Sequence, residues 1–347
     1  MFISFKLNRT VILICSGILF FTLIFVGVLN HYAGKAASNS AVEKNYIKWV
    51  DFKVTSTAMS KAMKLDIESH GTDTPLDWID LLAVLGAKYG GDFSKFKESD
   101  LTNLAKRLES GEKIEDITKD MKYYPYFHEA YTAVLGEYLG EYEIQVNDKD
   151  KNEISYKRQY GLKAFLPIAK GYGYSHSDDF GNSRSYGYKR KHLGHDMMGS
   201  VGTPIIAVES GTVEALGWNQ YGGWRIGLRS FDQKRYYYYA HLRKDHPYPV
   251  DLAVGHTVKA GDVIGYLGMT GYSIKENTNN IEIPHLHFGI QLIFDESQKD
   301  GNNEIWIDCY EIVKFLSRNT SAVTKDELTN EFRRKYEFME ASTENTE

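Results

Sequence analysis

Cysteine is scarce. The chain has two, Cys15 and Cys309, in 347 residues. That excludes a disulfide framework and any cluster of thiolate metal ligands. An excess of positive charge is also lacking: 41 Lys and Arg stand against 46 Asp and Glu, for a formal net charge of -5. No basic field therefore argues for a nucleic-acid partner. With 42% hydrophobic and 25% charged residues the composition is ordinary for a globular protein, so wholesale disorder, collagen and coiled coil are excluded. The length suits roughly two domains. What is present in quantity is histidine over a short stretch, since His176 and His287 bracket most of the eleven.

One run does carry a membrane signal. Val11 to Leu29 contains no charged residue. As a helix it would be about 28 Å long, close to the thickness of a bilayer core. Lys6 and Arg9 precede it, which puts the N-terminus in the cytoplasm and the remainder outside. A cleaved signal peptide is the competing reading. The apolar stretch is long for one, and Ala33 to Ala37 is a weak cleavage site. The expectation is a retained single-pass anchor over 1–35.

Residues 36–146 carry helical patterning. Thr74-Pro75-Leu76-Asp77 has the features of a helix start, with Thr74 as the expected cap, proline in the first turn and an acid three residues on. Trp78, Leu81, Leu82 and Leu85 then recur at helical spacing, and Gly90-Gly91 ends the run. Ser99 is expected to cap a further helix with an apolar stripe of Leu101, Leu104, Ala105 and Leu108. A last one carries Phe127, Ala130, Tyr131, Val134, Leu135, Tyr138 and Leu139. Nothing in these stripes spells a reaction, and His70 and His128 read as surface or packing histidines. Asn147 to Glu153 is polar throughout and reads as a linker, taken as 147–159. Beyond it the texture turns to glycine and short β-branched or aromatic runs. Strands are expected at 204–208, 212–216, 224–229, 235–241, 263–267 and 285–294. No helical pattern of useful length separates them, so the region 160–318 is an antiparallel β domain rather than a parallel α/β sheet. A helix returns after Asp308, and 319–347 reads as a polar tail. The fold class is α+β: a membrane helix, a small all-α region and an antiparallel β-rich domain.

Three fragments carry chemistry: His192-Leu193-Gly194-His195-Asp196, Tyr239-Ala240-His241-Leu242, and Pro284-His285-Leu286-His287-Phe288. In a strand, residues two apart share a face. His285 and His287 therefore project together, half of a metal site, while Leu286 and Phe288 pack the other way. His192 and Asp196 would lie about 13 Å apart in a straight strand, too far to share one ion, so the chain must bend, and Gly194 permits a bend. Two histidines and one carboxylate leave a fourth position for water, the layout of a catalytic rather than a structural zinc. His241, at a strand end, is by itself more often structural.

Taken in order, His-x-x-x-Asp, Tyr-x-His-Leu and His-x-His-Phe resemble the zinc-dependent peptidoglycan endopeptidases of the LytM/lysostaphin type, peptidase family M23. Gly202-Thr203-Pro204-Ile205, Gly211-Thr212-Val213, the run Val258 to Gly265 and Gly268-Met269-Thr270-Gly271 extend the resemblance over roughly Tyr160 to Phe294. It implies Zn2+ held by His192, Asp196 and His287, with His285 as the catalytic histidine beside the metal. His241 matches the second histidine, which stabilises the transition state or orients water. Which of His241 and His285 carries the proton stays open. His195 has no match and is read as lying behind the site or at the surface.

Tyr272 to Ile283 is an insertion relative to that pattern, and either shapes a cleft or loops into solvent. The loop from Trp218 to Trp224 is a second candidate cleft wall, whereas Tyr236 to Tyr239 read as strand packing. The anchored helical region, the sequence Gly194 to Gly199 and the long loop look most like the sporulation-associated L-Ala–D-Glu endopeptidases. The resemblance thus implies a membrane-anchored enzyme outside a bacterial cytoplasmic membrane, acting on peptidoglycan peptides. Cleavage at another stem-peptide bond or a cross-bridge stays open, as do protein partners. The rival reading is a non-enzymatic wall-binding scaffold that recruits another hydrolase.

Overall fold

The computed structural model describes residues 46–148, 153–185 and 189–340. The expected anchor over 1–35, with Val11 to Leu29, lies outside the described residues. Among the described residues, no helix is long and apolar enough to cross a membrane.

The helical patterning yields α1 (Ser56–Ser69), α2 (Trp78–Tyr89), α3 (Glu98–Glu109), the short α4 (Ile114–Thr118) and α5 (Tyr124–Leu135), and, late in the chain, α6 (Tyr310–Leu316). Three boundaries differ from expectation. The cap of α2 is Asp77, not Thr74, because the Asp77 carboxylate accepts from the backbone N–H of Ile79 at 2.6 Å and of Asp80 at 3.2 Å. Ser99 lies inside α3, which begins after Lys97. Helix α5 stops at Leu135, and Leu139 already belongs to a strand. Gly90 ends α2 as expected, in the left-handed conformation at φ 65°.

The strands are β1 (Leu139–Asp148), β2 (Glu153–Leu162), β3 (Ser175–His176), β4 (Ser183–Ser185), β5 (Lys189–Lys191), β6 (His195–Met198), β7 (Pro204–Ile206), β8 (Gly211–Asn219), β9 (Gly223–Ser230), β10 (Arg235–Ala240), β11 (Thr257–Val258), β12 (Val263–Tyr266), β13 (His285–Leu292), β14 (Ile305–Ile307), β15 (Val323–Lys325), β16 (Phe332–Arg334) and β17 (Phe338–Glu340). The main sheet runs β11-β8-β9-β10-β13-β6-β3, with β14 also on β13. Its pairs are antiparallel, as the absence of helical crossovers requires. Along β13, Leu286, Phe288, Ile290 and Leu292 are fully buried. His285 and His287 therefore stand on the opposite face.

Two domain boundaries are corrected. The expected linker over 147–159 is not a linker: β1 and β2 pair as one long antiparallel ribbon from Leu139↔Leu162 to Asp148↔Glu153. A turn and a linker share a composition, and only a pairing partner tells them apart. The expected polar tail over 319–347 contains β15 to β17. Phe338 is 1% exposed and packs on Tyr142 and Phe165 at ring distances of 5.1 and 5.6 Å, while β17 adds to β1.

The helical region and the β region were expected as separate domains. The described residues from Ile47 onward instead form one compact unit with a continuous core. Trp78 of α2 stacks on Phe315 of α6 at 5.9 Å. The deepest tie is Arg235 at the start of β10, which has no exposed surface. It donates to both Glu209 oxygens at 2.8 and 3.0 Å, to Asp232 at 2.8 Å and to the Ala133 carbonyl of α5 at 2.6 Å. Removing the cation would strand the buried Glu209 carboxylate. Urea unfolding of Arg235→Met should therefore show a loss of about 3–5 kcal/mol; a loss under about 1 kcal/mol would show that this tie contributes little.

Candidate active site

Register brings the three fragments together. In the β13–β6 pair His287 stands opposite Asp196, and in the β13–β10 pair it stands opposite Ala240, next to His241. His192 enters from the turn after β5. Its Nε2 lies 3.0 Å from Asp196 Oδ1 and 3.0 Å from His287 Nδ1, and those two are 2.9 Å apart. The three atoms form a nearly equilateral triangle on one side of which an ion can sit at ordinary ligand distances of about 2.0–2.2 Å. His192, Asp196 and His287 are the group among the described residues whose ligand atoms converge in this way. The donor set fits a metal also by its chemistry, since three lone-pair donors facing one another are repulsive unless a cation or protons lie between them.

Neighbours set the orientation of each donor. The Nδ1 of His192 lies 3.1 Å from a carboxylate oxygen of Asp179 and 3.2 Å from the Asp179 carbonyl. A proton placed there leaves Nε2 free to ligate. Arg184 lies 2.6 Å from Asp179 Oδ2 and 3.3 Å from Asp196 Oδ2, so it bridges both carboxylates and turns Asp196 Oδ1 towards the triangle. Gly194 acts differently from expectation. A Cβ there would fall 2.5 Å from both Cε1 and Nε2 of His287 and 2.9 Å from the Phe288 carbonyl. The position demands no side chain, because His287 occupies that space.

His285 and His241 flank the triangle without joining it. Their rings are 4.8 Å apart, and His285 Nε2 is 3.7 Å from Asp196 Oδ1. The Nδ1 of His285 faces the Ile283 carbonyl at 2.7 Å and that of His241 the Thr270 carbonyl at 2.9 Å. Nδ1–H donation to those carbonyls leaves both Nε2 atoms unprotonated. His241 adopts a left-handed backbone at φ 61°, a conformation that costs a non-glycine residue about 1–2 kcal/mol. Its N–H bond to the Gly222 carbonyl at 2.7 Å and the Thr270 contact hold it there. Strain of this kind clusters at working sites.

Burial sets the protonation states. It works against ionised Asp196, but the contacts with His192 and His287 override it and hold the carboxyl well below the usual carboxylate range. Burial pushes the His287 imidazole down despite the Asp196 carboxylate beside it. Burial, reinforced by His285 and His287, pushes His241 far below the ordinary histidine value. At neutral pH Asp196 is thus a carboxylate, and His287 and His241 are neutral imidazoles.

His195 is completely buried rather than at the surface. It is paired in register with Phe288, not with a site residue, its Nε2 is 2.7 Å from His176 Nδ1, and burial pushes its pKa down to about 3. A cleft of about 490 Å³ opens over the cluster. The insertion both shapes the cleft and loops into solvent: Tyr272 and residues 280–283 line the cleft, while Ile274 is 91% exposed. Tyr221 and Gly222 also line it, whereas Trp218 and Trp224 pack on each other at 5.8 Å. Of the tyrosine run, Tyr237 and Tyr239 are core, but Tyr238 borders the cleft, 5.9 Å from His287. Asp179 and Arg184 carry no signal in the sequence. Neither belongs to a motif, and only folding places them beside His192.

Residues 190–301 match the profile of Peptidase family M23. The L-Ala--D-Glu endopeptidase of Bacillus subtilis (strain 168) is 37% identical over 131 residues, 38% of this chain and 38% of that protein. The lysostaphin of Staphylococcus staphylolyticus is 41% identical over 98 residues, 28% of this chain and 18% of that protein. The matched segment thus spans well under half the length of these relatives. A solved LytM chain from Ruminococcus gnavus ATCC 29149 superposes with a TM-score of 0.52 at 21% identity, covering 80% of this chain and 92% of that one, a likeness of fold alone. With the profile match and the converging His192, Asp196 and His287, this chain carries a Peptidase family M23 domain.

Proposed function

We propose that the protein is a zinc endopeptidase that hydrolyses peptide bonds of peptidoglycan. The observation that carries this reading is the 2.9–3.0 Å triangle of His192, Asp196 and His287 at the floor of an open cleft, with two further imidazoles beside it. Two imidazoles and one carboxylate suit zinc and leave a position open to solvent. The relatives named above are endopeptidases or lysostaphins, which supports the substrate class. The likeness to the Bacillus subtilis relative favours the L-Ala–D-Glu bond. The run Val11 to Leu29 favours a single-pass anchor that leaves the catalytic domain outside a bacterial cytoplasmic membrane.

Zinc, when bound, would polarise a scissile carbonyl and make a water acidic enough to attack near neutral pH. The chain's own residues divide the remaining work. His285 stands by the Asp196 carboxylate and is the less enclosed of the two flanking imidazoles, so a transient positive charge is better tolerated there than on His241. It takes the attacking water's proton on Nε2 and returns it to the leaving amine. His241, kept neutral by burial, is held by Thr270 with Nε2 towards the cleft and orients the water. Asp179 and Arg184 keep the donors aimed.

Digestion of purified wall, followed by mass spectrometry of the released muropeptides, tests the reading. Soluble peptides with new termini should appear with zinc, vanish on chelation and return on zinc addition; release indifferent to metal removal would overturn it. His241→Ala and His285→Ala should each lower turnover by about 10²–10⁴-fold while retaining zinc, as read by atomic absorption. Gly194→Ala should displace His287 and weaken zinc binding by about 10–100-fold; unchanged affinity in a competition with a chromogenic chelator would contradict the steric argument.

A further inference from the structure

The polar face of the main sheet continues past the metal-facing cluster. A second groove of about 670 Å³ adjoins the cleft, and His287, Tyr238 and Arg190 line both. Alternation builds it. On β9, Ile226 and Leu228 point into the core, which leaves Arg225 on the face that carries His287. Across from Arg225 on β8 stands Gly217, so no side chain at that position covers the guanidinium.

The cations of this groove are not all spoken for. Glu214 is engaged by Arg229 at 2.8 Å and by Lys299. Glu304 accepts from Trp306 Nε1 at 2.6 Å, and Asp300 also lines the groove. Arg190, Lys191 and Arg225 line it too, and among the described residues none of the three forms an ion pair with a carboxylate. The Nε of Arg190 and the Nε of Arg225 are both buried without a hydrogen-bond partner. Arg190 is nonetheless held in place, donating to the Tyr272 hydroxyl and lying 5.3 Å from that ring's centre. Tyr238 lines the same groove as both arginines. A buried guanidinium N–H without an acceptor is costly, and a carboxylate is the acceptor whose shape fits it.

We propose that this groove is the substrate's carboxylate subsite, in which Arg190 and Arg225 hold a free carboxylate adjacent to the scissile bond and Lys191 adds charge at the rim. This rests on the endopeptidase reading for calling the ligand a substrate. It names the class: an acidic stem peptide, in which a γ-linked D-Glu leaves its α-carboxylate free, in preference to its carboxamide or a neutral glycine bridge. The groove's position supports this, because His287, Tyr238 and Arg190 line both it and the cleft, so one peptide can occupy the two together.

The test uses two synthetic tripeptides, L-Ala–γ-D-Glu–L-Lys with a free α-carboxylate and the same peptide as the α-carboxamide. Binding is measured by calorimetry on the full zinc-loaded chain bearing His285→Ala, which prevents turnover, and hydrolysis separately on the unaltered chain. The acid should bind about tenfold or more tighter than the amide, and the preference should shrink as salt rises. Arg225→Gln and Arg190→Gln, each with full zinc content as a sign of an intact site, should bring the two peptides within about twofold, with Arg225→Lys retaining part of the preference. Equal affinity for acid and amide, or a preference untouched by both glutamine variants, overturns the subsite. Should acid-selective, arginine-dependent binding occur with no cleavage by the unaltered chain, the subsite stands and the endopeptidase reading falls. Cleavage without selectivity overturns the subsite and leaves the endopeptidase reading standing.

Discussion

The antiparallel register of β13 between β6 and β10 is the constraint on which the site depends. Sliding β13 by one residue would exchange His285 and His287 for Leu286 and Phe288 on the cleft face. It would also drive two imidazoles into the core. The register is held from the other side of the sheet, where Leu286, Phe288, Ile290 and Leu292 are fully buried. Apolar packing thus fixes a polar geometry it never touches. His287 opposite Asp196 is a consequence of that packing and needs no metal to bring it about.

Around this frame, polar groups are buried in pairs. Arg235 and Glu209 neutralise each other beneath the sheet and reach the Ala133 carbonyl of α5, and Asp66 joins α1 to β2 through the Tyr160 hydroxyl at 2.8 Å. Such contacts, with Trp78 on Phe315, make the helical region part of the same folding unit as the sheet that carries the candidate site. The metal-facing cluster departs from this pairing, since its three donor atoms face one another, and so do the arginines of the adjoining groove. Polar groups that the fold buries without satisfying are where a ligand has something to offer.

Much of the site was legible in the sequence because its chemistry is local. The alternation His285-Leu286-His287-Phe288 states which residues share a face, and His192 with Asp196 states the rest of a donor set. The main strands were legible for the same reason, from period-two patterning bounded by glycine. Helix ends were less so. Thr74 and Asp77 are both competent caps, and the choice fell to Asp77 because its carboxylate reaches two backbone N–H groups. The polar run at 147–153 looked like a linker because composition does not show that the strands on either side of it pair.

Residue order by itself determined the side-chain chemistry, the faces of the strands and the residue types of the candidate donors, because these follow from composition and from periods of two and 3.6 along the chain. Tertiary structure alone decided what stands next to what. It placed Asp179 and Arg184 behind His192 and Asp196, reserved for His287 the space beside Gly194, and joined helices and sheet into one core. It also left Arg190 and Arg225 facing a groove. These are contacts between residues far apart in sequence, and no local periodicity encodes a distance through space.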